Sequence, residues 1–179
     1  MRKIVLFYGT MSGLLMVLMF VITFYLIDQG ILKEHSELLG YATMLVVLSL
    51  IFFGIKSFRD KHGNGTITFW KGLKVGLAIA SIASFFYATG WEVYYNGMPG
   101  VKENFMNKYT DSLIAKMKQE GSAQEKIDAK IKEMESMKEM YKNPFIRYGM
   151  TLAEIFPVGL VISLISAGVL RKKEILPAA

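Results

Sequence analysis

GLKVGLAIASIASFFYATGWEVYY, residues 72–95, decides the fold. After Lys74 it carries no charge until Glu92. At about 1.5 Å of rise per residue, a helix of this length crosses a hydrocarbon core of about 30 Å. Gly72, Gly76, Ala80, Ser84 and Ala88 recur at every fourth position, so they share one helix face and let a neighbouring backbone approach closely. Trp91, Tyr94 and Tyr95 form an aromatic girdle at the far end, with the Glu92 carboxylate placed where hydrocarbon gives way to headgroups. The stretch reads as a membrane span with a packing seam along one side.

Three more apolar runs flank it: Ile4 to Ile27, Leu38 to Ile55 and Ile146 to Leu170. Together they predict an all-α, four-helix transmembrane bundle, a single membrane domain over residues 1–179. Arg2 and Lys3 before the first run resemble the start of a signal peptide. The run is too long for that, however, and no small-x-small cleavage site follows, so it is expected to stay as a span. Lys56, Arg59, Lys61, Lys71 and Lys74 crowd the connection between the second and third runs, and Arg171, Lys172 and Lys173 close the fourth. The connection between the first two runs carries Lys33 against Asp28, Glu34 and Glu37. Positive charge gathers on the cytoplasmic side, so both termini are expected there.

After Asn96-Gly-Met-Pro-Gly100 the character of the chain changes. Val101, Phe105, Tyr109, Leu113 and Met117 step by four between charged residues, Gly121 interrupts, and Ser122-x-x-Glu125 has the form of a capping box. Ile127, Ile131, Met134 and Tyr141 line a second amphipathic stretch that Asn143-Pro144 stops. The expectation is a soluble helical hairpin over residues 101–142, outside the membrane, its two apolar stripes paired with each other.

Several classes of function are excluded. The net charge of +6 comes from basic residues at span ends, which argues against a nucleic-acid partner. Without cysteine there is no disulfide and no thiolate metal site. His62-Gly-Asn-Gly65 reads as a turn, since it lacks the glycine spacing and the Lys-Ser or Lys-Thr pair of a phosphate loop. Only two histidines occur and no HExxH, so the expectation is a non-enzymatic protein with no catalytic residues, metal or cofactor.

Two carboxylates remain as proton or cation candidates. Glu154 lies within the fourth run, three residues before Pro157, at a depth where charge is costly unless protonated, paired or facing water. Glu92 belongs to the same half of the bilayer. Two readings stand: the carboxylates meet and share a proton, as in proton-coupled transport, or Glu92 is wet at the interface and Glu154 donates a neutral hydrogen bond. Helix-packing positions are Gly9 and Gly13, Gly72, Gly76 and Ala80, and Gly159, Ser163 and Ala167, all but Ala80 assigned to the cytoplasmic half. Bulkier residues such as Phe24, Phe85, Phe86 and Tyr87 lie in the outer half, where the bundle is expected to splay. FYGTMSGL and FWKGLKVGL, opening spans one and three, share a spaced Gly-xxx-Gly that suggests an old duplication.

The segment GNGTITFWKGLKVGLAIASIASFFYATGWEVYYN, the four-span pattern and the charged hairpin before the last span resemble a family of small bacterial inner-membrane proteins, the 4199 family of domains of unknown function. The resemblance covers essentially the whole chain. It implies a bacterial cytoplasmic membrane and supplies no activity or site residues. Two functional expectations follow. One is an interaction or assembly protein whose hairpin meets an extracytoplasmic protein partner. The other is a small transporter or channel, a homo-oligomer in the lipid bilayer, using Glu154 and Glu92.

Overall fold

The computed structural model describes residues 1–32 and 37–172. Lys33, Glu34 and His35 of the first connection and Lys173 of the closing basic cluster lie outside the described residues, as do the side chains of Glu37 and Leu38. Among the described residues seven helices follow in order: α1 (Arg2–Asp28), α2 (Glu37–Leu48), α3 (Leu50–His62), α4 (Phe69–Gly97), α5 (Val101–Gln119), α6 (Gln124–Tyr141) and α7 (Pro144–Leu170). Among these residues four stretches are long and apolar enough to cross a membrane: α1, Leu39–His62 through α2 and α3, α4, and α7. Leu6, Phe7, Val46, Phe53, Phe85, Ile165 and Val169 all point outward on these helices. So extensive an apolar exterior suits lipid and not water.

The spans differ from the sequence reading mainly at their ends. The second was expected to stop at Ile55, yet helix continues through Lys56 to His62. Basic side chains do not end a helix, and Arg59, Lys61 and His62 in its last turn complement the helix dipole. Between α2 and α3 the ladder tightens at Ser49, whose carbonyl accepts from Phe52 N at 2.9 Å and whose hydroxyl donates to the Val46 carbonyl at 2.6 Å. The Ser122 capping box does not form, and α6 opens at Gln124 after Ala123 without a side-chain cap. Ser122 instead closes α5, its N–H donating to the Met117 carbonyl while Gly121, at φ +70°, donates to Lys118. That is a glycine-terminated helix end, and it takes the backbone the box required.

α4 is the centre of the bundle, with half of its most apolar stretch buried. It packs on α7, on α1 and, less extensively, on α3. Against α7 it runs antiparallel along the small residues: Gly72 faces Ala167, Gly76 faces Ser163, and Ala80 faces Gly159. Against α1 it runs parallel, with Gly9 on Ile82, Gly13 on Phe86 and Gly90 on Val17. α3 closes the group, Gly54 lying against Ile79 of α4 and Tyr8 of α1. Ile51, Ile55, Val75, Ile79 and Ile155 are fully buried among these helices. At this end Ile67 and Lys172 exchange two backbone hydrogen bonds, at 3.1 and 3.0 Å, which tie the α3–α4 turn to the end of α7.

Ser12 of α1 and Ser84 of α4 are buried with hydroxyls that have no hydrogen-bonding partner among the described residues. They act as small side chains, and their polarity is a cost. Ser12→Ala and Ser84→Ala are therefore expected to leave stability unchanged or raise it by up to about 1 kcal/mol in a micellar unfolding titration. A loss above about 1 kcal/mol would mean that each hydroxyl has an acceptor.

At the other end of the bundle α5 and α6 lie against one another. Met106, Ile127 and Met134 are buried, and Lys138 Nζ donates to Asn107 Oδ1 at 2.6 Å. The half of the bundle expected to splay is partly filled there by packed side chains. Phe20, Trp91, Tyr95, Met106, Met134 and Tyr141 form a second core in which α1, α4, α5 and α6 all take part.

Candidate functional site

α7 begins immediately after α6 because Asn143 caps it, its side chain accepting from Phe145 N at 3.0 Å, and Pro144 occupies the first turn. This places Arg147 in the opening turn of a helix, where the dipole disfavours a cation. Its side chain is 3% exposed, and its compensation comes from the neighbouring helices. Nε donates to Glu92 Oε1 at 2.7 Å, and Nη2 donates to Glu92 Oε2 at 2.6 Å. The pair is bidentate, the geometry in which guanidinium and carboxylate match best. Nη1 donates to the Tyr141 carbonyl at 2.9 Å, and the guanidinium carbon stands 4.1 Å from the Tyr95 ring centroid. Asn96 Nδ2 adds a bond of 3.2 Å to Glu92 Oε2.

The ion pair sits within a polar set that reaches both ends of the α5–α6 pair. Tyr95 Oη donates to the Lys102 carbonyl at 3.2 Å, where α5 begins, and Trp91 Nε1 donates to Tyr141 Oη at 2.8 Å, where α6 ends. Phe105 packs edge-on against Trp91 at 4.8 Å between centroids and stacks on Tyr141 at 5.8 Å. Burial pushes the Tyr141 phenol well above its ordinary range, outweighing the Trp91 hydrogen bond and the Arg147 charge that favour the phenolate. Tyr141 therefore stays neutral and keeps its hydroxyl proton.

The expected meeting of two carboxylates gives way to this pairing. Both oxygens of Glu92 accept from Arg147, its side chain is 19% exposed, and no hydrogen bond joins it to Glu154 among the described residues. Glu154 stands two turns further along α7 than Arg147, beside a cavity of about 230 Å³ walled by Phe20, Phe24, Tyr87, Trp91, Phe105 and Tyr141. It forms no neutral hydrogen bond to Ser, Thr or a backbone carbonyl among the described residues. Arg147 is the residue that sequence reasoning missed, although a signal existed. The seam pairs 72 with 167, 76 with 163 and 80 with 159; three more steps of four along the same register put residue 92 opposite residue 147.

Four stretches of spanning length among the described residues make this a multi-pass membrane protein by length and composition. Residues 8–172 match the family described as "Protein of unknown function (DUF4199)", and the chain belongs to that family. No curated protein and no solved structure matches it.

Proposed function

We propose that the protein is a non-enzymatic scaffold of the bacterial inner membrane, both termini cytoplasmic, whose α5–α6 hairpin is a rigid extracytoplasmic platform for a protein partner. The observation that carries this reading is that both base ends of the hairpin are tied to the bundle beside the buried Glu92–Arg147 pair, the Lys102 carbonyl by Tyr95 Oη and the Tyr141 carbonyl by Arg147 Nη1. A connection between adjacent spans needs only a few residues. This one spends some forty on two helices and holds them in one orientation, as suits a surface that a partner must find already formed. The transport reading has less support, because the Arg147 pairing removes Glu92 from any proton shared with Glu154.

Photo-crosslinking residues at the exposed positions Lys118 and Glu135 are expected to trap one discrete partner in cells, and Arg147→Met is expected to abolish the adduct when equal amounts of membrane-inserted protein are compared. Background crosslinking at both positions would contradict the platform. Orientation is tested with reporter fusions. Those after Gly65 should be active in the cytoplasm and those at Gly121 outside it, and a cytoplasmic Gly121 would reverse the assignment.

A further inference from the structure

Glu154 has no hydrogen-bonding or ion-pair partner among the described residues. It borders two adjoining spaces. One is the cavity of about 230 Å³ between α1, α2, α4 and α7, roofed by Phe105, Tyr109 and Tyr141. The other, of about 430 Å³, leads outward past Tyr41, Met106 and Met137, and Gly40 and Glu154 line both. No Lys or Arg lines either space among the described residues, and the nearby guanidinium of Arg147 is already matched to Glu92. The cavity thus combines a carboxylate that has no cationic partner among the described residues with the aromatic side chains of Tyr87, Trp91 and Tyr141. Carboxylate and aromatic faces both attract a positive charge, and aromatic faces suit an alkylated ammonium better than a hydrated metal ion. Thr23, Thr43 and Thr151 add hydroxyls to the lining.

We propose that this cavity is a binding site for an organic ammonium group carrying an apolar chain, with the ammonium at Glu154 among the aromatic rings. A volume of about 230 Å³ is below that of drug-sized pockets, which start near 300 Å³. It fits a headgroup, with the chain leaving through the wider space past Tyr41. Either an aminolipid of the surrounding leaflet or a soluble amphiphilic amine supplies that chemistry. The site is independent of the platform reading, since it asks nothing of the exposed faces of α5 and α6.

Trp91 lines the cavity while Trp70 is exposed at the opposite end of α4, so Trp70→Phe leaves Trp91 as the reporter. Full-length Trp70→Phe protein in nanodiscs is titrated with hexyltrimethylammonium, with hexanol and with hexanoate. Saturable change in Trp91 fluorescence is expected for the ammonium alone, weakened at least ten-fold by Glu154→Gln. Gly40→Leu provides a second arm: Gly40 lines both spaces and a Cβ there meets nothing within 4 Å, so a larger side chain can be accommodated at the wall of the cavity and narrow it. It is expected to weaken binding as strongly with an unchanged melting temperature, and it carries the test if Glu154→Gln does not fold. Discs of phosphatidylethanolamine and of an uncharged glucosyl diacylglycerol separate the two sources. A ten-fold weaker response in the former identifies the lipid headgroup as occupant, and equal responses identify a soluble amine. An equal response to hexanol, no saturable response to the ammonium, or wild-type binding by folded Glu154→Gln and Gly40→Leu would overturn the proposal.

Discussion

Arg147→Met is expected to destabilise the folded protein by about 3 to 5 kcal/mol, because it strands the Glu92 carboxylate in a site built around a guanidinium. Both side chains lie largely out of solvent, at 3% and 19% exposure, so there is little water to take over the lost contacts. The same change frees the Tyr141 carbonyl and removes the cation over Tyr95, loosening the base of the α5–α6 pair. Arg147→Lys should recover part of the loss, since an ammonium keeps the charge but not the two parallel bonds. The double substitution Arg147→Met with Glu92→Leu should cost less than the sum of its parts, because neither charge is left alone. Unfolding titrations in mixed micelles measure the wild type, Arg147→Met, Arg147→Lys, Glu92→Leu and the double substitution. Additive losses would mean that the two side chains do not interact.

The second large effect is expected at the α4–α7 seam. A Cβ at Gly76 would stand 2.8 Å from Ser163 Oγ, 2.9 Å from Ser163 Cβ and 3.0 Å from Ile55 Cδ1. Ser163 cannot turn away without giving up the bond from its hydroxyl to the Gly159 carbonyl, at 2.7 Å. Gly76→Leu therefore has to part the helices, at a cost of about 1 to 3 kcal/mol or more. Gly168→Ala in the same helix pair serves as the comparison: nothing lies within 4 Å of the added carbon, so it should stay within about 1 kcal/mol of the wild type and gain from the better helix former. Equal stability of Gly76→Leu and wild type in the same titration would mean that the seam is not a contact.

The bundle was legible because its signals are periodic and strong. Small residues at every fourth position on α4 and α7 name the faces that meet, and basic clusters at span ends mark the boundaries. What the sequence hid were interactions that depend on register between distant segments. Glu92 and Arg147 are fifty-five positions apart, and each looks like an isolated charge at the end of its own span until the two seams are aligned and continued. The stripes within residues 101–142 by themselves predict an arm held by its own pairing, whereas Phe105 and Tyr141 of those stripes also pack on Trp91 and Tyr95 of the bundle. Aromatic residues at a predicted bilayer interface have a ready explanation as lipid anchors, and it masked their part in docking. The cavity beside Glu154 has no sequence signature at all. It arises where the side chains of six helices leave a space that none of them fills.

The Glu92–Arg147 pair, through the bond from Arg147 to the Tyr141 carbonyl, is expected to hold α5 and α6 in one orientation on the bundle. The chain has no native cysteine, so two spin labels can be placed without background, at Gln29→Cys beyond α1 and at Lys118→Cys near the tip of α5. Double electron–electron resonance in lipid bilayers should give a single narrow distance distribution for the otherwise wild-type protein and a broad one once Arg147→Met is added. A broad distribution with Arg147 in place, or a narrow one that survives its loss, would contradict the account.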